Sequence, residues 1–197
     1  MKRATTLFTF FLAFIWSGSN NLMAQIQLYG TTTFGGSQGA IFHYTPSTGT
    51  YTQDKPFSLY PLGGYPDYEN GLTDGGDGYF YGMVAIGGGN GYGLIFKWNP
   101  GTNIYAVKYS FNGTNGSTPH GSLTLKDGKF YGMTNSGGAS DFGVIFEWDP
   151  VTNIYSDKYE FNSNDGANPY GSLTLKDGKF YGMTKNGGAN GYGVIFE

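Results

Sequence analysis

The chain repeats itself about every 50 residues, and that period constrains its architecture more than any other property. Gly121 to Glu147 reads GSLTLKDGKFYGMTNSGGASDFGVIFE, and Gly171 to Glu197 reads GSLTLKDGKFYGMTKNGGANGYGVIFE. These 27-residue stretches differ at five places, 135, 136, 140, 141 and 142 against their partners 50 residues later. A Tyr-Gly pair marks each unit at Tyr29, Tyr81, Tyr131 and Tyr181, giving spacings of 52, 50 and 50. A fixed period of this size is the mark of an array of like units, each too thin to bury its apolar face alone.

Composition narrows the kind of unit. Glycine at 35 residues and aromatics at 18% are far above ordinary usage, while charged residues at 13% are well below it. Glycine with Tyr, Phe and Thr suits short strands joined by tight turns, and the aromatics supply ample surface to bury. The glycines do not fall at every third position, which excludes collagen.

Met1 to Ala24 has the pattern of a secretory signal. Lys2 and Arg3 precede an uncharged, mostly apolar run from Leu7 to Trp16, and a polar stretch then leads to Ala24. A run of ten residues is too short for a bilayer, which needs about 20. The expected mature chain starts at Gln25 and carries nine Lys against 14 acids, a net charge of −5 with no arginine. Nucleic acid is therefore excluded as a partner, because phosphate contacts need clustered cations. There is no cysteine, so neither disulfides nor thiolate metal sites are available.

Four strand signals recur within a unit. The pattern predicts strands over Gly121 to Lys126, Lys129 to Thr134, Gly143 to Trp148 and Ile154 to Phe161. Asp127-Gly128 is the two-residue turn that hairpins prefer, and Asp77-Gly78 and Asp177-Gly178 repeat it. Pro46, Pro100 and Pro150 end third strands, since proline cannot donate to a ladder. In the third strand Val144, Phe146 and Trp148 share one face and Ile145 the other, which predicts a sheet covered on both sides. In the fourth, alternation puts Tyr155, Tyr159 and Phe161 on one face and Ser156, Lys158 and Glu160 on the other, a half-exposed strand. The expectation is an all-β, propeller-like array of four-stranded antiparallel blades, with a β-solenoid or stacked hairpins as the alternative. Fourteen strands, about three and a half units, fall short of a four-bladed ring. The chain is therefore expected to be part of a longer array, with exposed edges that favour aggregation.

The ordered residues Tyr109 to Asn112, Gly116, Pro119, Gly121 to Leu125, Phe130-Tyr131-Gly132-Met133-Thr134, Gly137-Gly138 and Gly143 to Phe146 resemble the GloVer-type tandem repeat of exported bacterial proteins. The resemblance covers essentially all of residues 25–197. It implies an extracellular, propeller-like protein with no established activity and no catalytic residues to carry over. It also implies a surface-anchoring or secretion-sorting segment, which this sequence lacks, and the signal resembles those of the Bacteroidetes.

Candidate sites are few. His43 occupies the slot held by Lys97 and Glu147, and His120 aligns with Tyr170, so two non-equivalent histidines offer little for a nucleophilic constellation. Asp67, Glu69, Asp74 and Asp77 crowd the divergent segment 65–79, where a glycan-active enzyme could keep its two carboxylates. No cofactor is expected. Calcium is the one ion the short loops 74–78 and 162–166 suggest, and turn chemistry explains them equally well. The aromatics Tyr92, Phe142 and Tyr192 recur just before the third strand, where flat faces could stack on sugar rings or plug the Gly137-Gly138 loop and its equivalents. The expected function is an exported, non-enzymatic scaffold at the cell surface or in the medium, with a protein or glycan ligand.

Overall fold

Strands of five or six residues separated by glycine turns can form a sheet but not a core, so each sheet needs a neighbour. A computed structural model shows how that need is met. It describes residues 27–32, 39–57 and 70–197, together with the backbone of the short strand Phe11–Leu12. The described residues contain strands and turns and no helix.

Four antiparallel sheets follow one another along the chain. The first holds β1 (Phe11–Leu12), β2 (Leu28–Thr32), β3 (Ala40–Thr45) and β4 (Thr50–Pro56). The second holds β5 (Thr73–Asp74), β6 (Phe80–Val84), β7 (Leu94–Asn99) and β8 (Ile104–Ser110). The third has five strands, β9 (Ser117–Pro119), β10 (Thr124–Lys126), β11 (Lys129–Ser136), β12 (Val144–Trp148) and β13 (Tyr155–Glu160). The fourth holds β14 (Ala167–Pro169), β15 (Thr174–Lys176), β16 (Lys179–Asn186) and β17 (Ile195–Phe196). This is an all-β, propeller-like array. β1 lies within the expected signal segment and pairs with β2 in the position that β10 takes against β11. The rest of that segment lies outside the described residues.

The sheets share two cores. Phe80, Val84, Leu94, Phe96 and Trp98 of the second sheet enclose Ile41 of the first. Phe130, Phe146 and Trp148 of the third enclose Tyr81, Met83 and Ile95 of the second. Each middle strand therefore sends alternate residues into two different interfaces, as the two-sided apolar pattern required.

Three expectations need correction. β13 does not keep strict alternation: Ile145 pairs with Tyr159 while Phe146 pairs with Asp157, so Lys158 is a bulge. One extra residue puts Tyr155 beside Phe146 and Tyr159 on the opposite face. The same bulge falls at Asp54 in β4 and Lys108 in β8. Next, Asp127-Gly128 makes the expected two-residue turn, with φ of 52° and 76°, but Asp77-Gly78 does not. There Asp74 pairs with Phe80, which leaves a five-residue turn closed by Gly75 N–H to the Tyr79 carbonyl at 3.0 Å. Finally, the predicted first strand Gly121 to Lys126 is shortened to Thr124–Lys126, because Gly121 has φ of 92°, and a strand that was not predicted, Ser117–Pro119, precedes it; both pair with β11.

Candidate functional site

The inner edge of each sheet is built for contact with the next copy of itself. Thr73 Oγ1 donates to the Leu123 carbonyl at 2.6 Å, and Thr124 Oγ1 donates to the Leu173 carbonyl at 2.6 Å. Gly71 N–H donates to Ser122 Oγ at 3.0 Å, and Ser122 N–H to Ser172 Oγ at 2.7 Å. A side chain on Gly121 would run into the Gly171 carbonyl, so glycine is required where the edges converge. The Gly-Ser-Leu-Thr sequence is thus the seam of the array.

The loops before the third strands carry the predicted aromatics. The Tyr92 carbonyl accepts Thr118 N–H at 2.9 Å, and the Phe142 carbonyl accepts Asn168 N–H at 2.8 Å. Each loop is therefore tied to the following sheet through its main chain, while the ring is left outside it. Tyr92 is 45% exposed and lies over Gly113, in the turn that leads to the next sheet. Phe142 is half-buried, and Tyr192 is 90% exposed. The three do not meet in one pocket. They recur one per unit in the second, third and fourth sheets, and none of them is among the buried core residues.

Of the acidic segment, Asp67 and Glu69 lie outside the described residues. Asp74 and Asp77 are exposed and close their own turn. Asp74 Oδ1 accepts Gly76 N–H at 2.9 Å, while Asp77 accepts Tyr79 N–H at 3.1 Å and the Tyr81 hydroxyl at 2.8 Å. Loop 162–166 is likewise satisfied from within: Asp165 accepts Asn162 N–H at 3.1 Å, Asn162 Nδ2 at 2.7 Å and the Tyr159 hydroxyl. Among the described residues no group of three or more His, Asp or Glu is placed to hold a metal ion.

His43 and Glu147 share a slot opposite the Tyr-Gly tyrosine, and both are paired there. His43 Nδ1 lies 2.9 Å from both Asp54 oxygens. Glu147 accepts from Lys129 Nζ at 2.8 Å and the Tyr131 hydroxyl at 2.7 Å, with Lys158 Nζ at 3.4 Å. These donors, Lys129 first, hold the Glu147 carboxyl down to about 2, and the same contact pushes the Tyr131 phenol, already raised by burial, up to about 12. Lys97, in the same slot, sits 4.0 Å from the centre of the Tyr79 ring. The slot therefore joins strands within a sheet. His120 stacks on Tyr170 with ring centres 4.6 Å apart, a contact between sheets. Reading the sequence for catalytic types overlooked the seam serines and threonines. Their 50-residue recurrence was the signal that could have found them.

A crystal structure of TolB from Acinetobacter baumannii matches 80% of this chain at 14% identity, with a TM-score of 0.49. The chain covers 37% of that protein's length. No curated protein matches the sequence. A family model described as the Gloeobacter/Verrucomicrobia repeat matches residues 19–197. With the match spanning nearly the whole chain and all four sheets, the protein belongs to the Gloeobacter/Verrucomicrobia repeat family.

Proposed function

We propose that the protein is an exported, non-enzymatic repeat scaffold that contacts glycan or protein ligands at the cell surface through its row of loop aromatics. One observation carries the reading: at Tyr92 and Phe142 the loop backbone is clamped to the following sheet while the ring stands at least partly outside it. A ring on a fixed backbone binds with little ordering cost, and one weak contact per unit adds up along an array. The described carboxylates of the divergent segment are occupied in their turn, which leaves hydrolysis without a specific observation in its favour. The test is binding to a glycan array and to extracellular matrix proteins, with turnover monitored in parallel. The triple variant Tyr92→Ala, Phe142→Ala, Tyr192→Ala should lose binding while stability changes by no more than about 1 kcal/mol. Polysaccharide cleavage by the unaltered chain, or binding that survives the triple variant, would refute the proposal.

A further inference from the structure

Two positions face one another across the outer strands of a sheet: the slot opposite the Tyr-Gly tyrosine, and the bulge of the last strand. In the first sheet they hold His43 and Asp54, with Nδ1 2.9 Å from the carboxylate. In the third they hold Glu147 and Lys158, with Lys158 Nζ 3.4 Å from Glu147 Oε1. Acid and base have changed places between these two sheets, so what the positions share is the pairing of an acidic with a basic side chain.

The second sheet breaks that rule. Both positions are lysine, Lys97 in β7 and Lys108 at the bulge of β8, and both are half-buried. Among the described residues neither has a carboxylate within ion-pair distance. The acid of the adjacent turn, Asp77, accepts Tyr79 N–H and the Tyr81 hydroxyl. That hydroxyl is the counterpart of the Tyr131 hydroxyl, which donates to Glu147. Lys97 Nζ lies 4.0 Å from the centre of the Tyr79 ring, which steadies the ammonium but carries no formal negative charge.

The third sheet shows what this arrangement lacks. There the Glu147 carboxylate stands between two ammonium groups, Lys129 Nζ at 2.8 Å and Lys158 Nζ at 3.4 Å. The second sheet keeps two cations and has no carboxylate in the slot. Like charges on facing positions repel, and an anion between them turns the repulsion into attraction. The chain as a whole is negative, at −3, so an anion is drawn here by local charge against the overall field.

We propose that Lys97 and Lys108 form a binding site for an oxyanion, a carboxylate or sulfate group, free or carried on an acidic polysaccharide. The group takes the place that the Glu147 carboxylate takes one sheet later and accepts from both ammonium groups. Lys97 shares a face of β7 with Ile95, which packs toward the third sheet, so the site lies on that side, in the half of β7 away from Tyr92. It is separate from the loop aromatics and does not depend on their binding.

The test is calorimetric titration of the full chain with sodium sulfate and with dextran sulfate at constant ionic strength, with uncharged dextran as the blank. Lys97→Glu copies the acid and lysine of the third sheet, and should weaken binding at least about tenfold while the chain stays folded. Lys108→Asp copies the acid of the first sheet and should do the same, which keeps the test open if one variant fails to fold. Lys176→Gln, at an exposed lysine, should bind like the unaltered chain. Lysine-dependent binding of dextran sulfate alone assigns the site to a polymer, and lysine-dependent binding of both probes assigns it to the oxyanion itself. Binding of neither probe would overturn the proposal. So would binding that survives Lys97→Glu and Lys108→Asp, or that falls as far in Lys176→Gln, since the anion would then be held by scattered surface charge.

Discussion

On β11, Tyr131 and Gly132 face opposite sides of the sheet, so the Tyr-Gly pair serves two contacts at once. Tyr131 reaches Phe180 of the next sheet. Gly132 lies opposite Phe146, and a methyl group there would come 2.6 Å from the Phe146 ring, so the glycine is the space that the buried phenylalanine occupies. Beside them Glu147 supplies charge. Its folded-state carboxyl lies near 2, against an ordinary 4.5, so its pairing contributes fully above pH 4.5 and is lost as the pH falls toward 2. Glu147→Gln should therefore lower the Tm at pH 7 but match the unaltered chain near pH 2; a pH-independent gap between the two melting curves would contradict this. Backbone strain also sits at named residues. Thr118 has φ of 53° immediately before Pro119, and a β-branched residue is costly there. The equivalent Asn168 adopts φ of 55° and donates its Nδ2 to the Asn135 carbonyl at 3.0 Å. Thr118→Asn should stabilise the chain by about 1 kcal/mol in urea unfolding, and a destabilised variant would show that Thr118 is not strained.

The bulge in the outer strand settles which residues leave a sheet and which stay. Because Lys158 is extra, Tyr155 joins Phe146 within its own sheet while Tyr159 turns to the other face. The equivalent Tyr109 stacks on Tyr155 with ring centres 4.2 Å apart and planes 3° from parallel, so the bulge is what lets outer strands of successive sheets touch. Deleting Lys158 and mutating it should differ sharply. Lys158→Ala removes an exposed ion pair and should cost under about 1 kcal/mol. Deletion flips the end of the strand, takes the buried Phe161 from its site and should cost about 3–5 kcal/mol, and equal costs would deny the bulge its role. This element also shows where pattern reading stopped. Tyr155, Tyr159 and Phe161 alternate perfectly in sequence, and no local signal reports one residue out of register. The Asp127-Gly128 turn was legible because its geometry is intrinsic to the two residues. Asp77-Gly78 has the same letters, but the pairing of Thr73 with Tyr81 stretches the turn around it. The loop aromatics were legible as a spaced row, while their exposure depends on turns about 20 residues away. The seam hydrogen bonds link residues 50 apart, and no local pattern encodes such a contact.

Across the whole molecule, equivalent residues change environment from one unit to the next, and the isoleucine series turns that into a measurement. Ile95 and Ile195 occupy the same place in β7 and β17, paired with Met83 and Met183 respectively. The local sequence around them is almost the same, so strand propensity cannot separate them. Their burial can: Ile95 is enclosed by Phe130, Phe146 and Trp148 of the third sheet, and among the described residues no sheet stands over Ile195, which is 81% exposed. In an array stabilised by nearest-neighbour interfaces, the cost of losing a side chain is set by the neighbour rather than by the unit. Ile95→Ala should therefore cost about 2–5 kcal/mol, through lost transfer energy and the cavity left between two sheets. Ile195→Ala should stay within about 0.5 kcal/mol, as surface substitutions do. Half-buried Ile145, covered by the fourth sheet, should fall between the two. Hydrogen exchange should show the same order, with amides of β6 and β11 outlasting those of β16, since a sheet covered on one side opens at lower cost. Equal costs at Ile95 and Ile195 would mean that each unit carries its stability internally, and the interfaces would then be contacts without consequence.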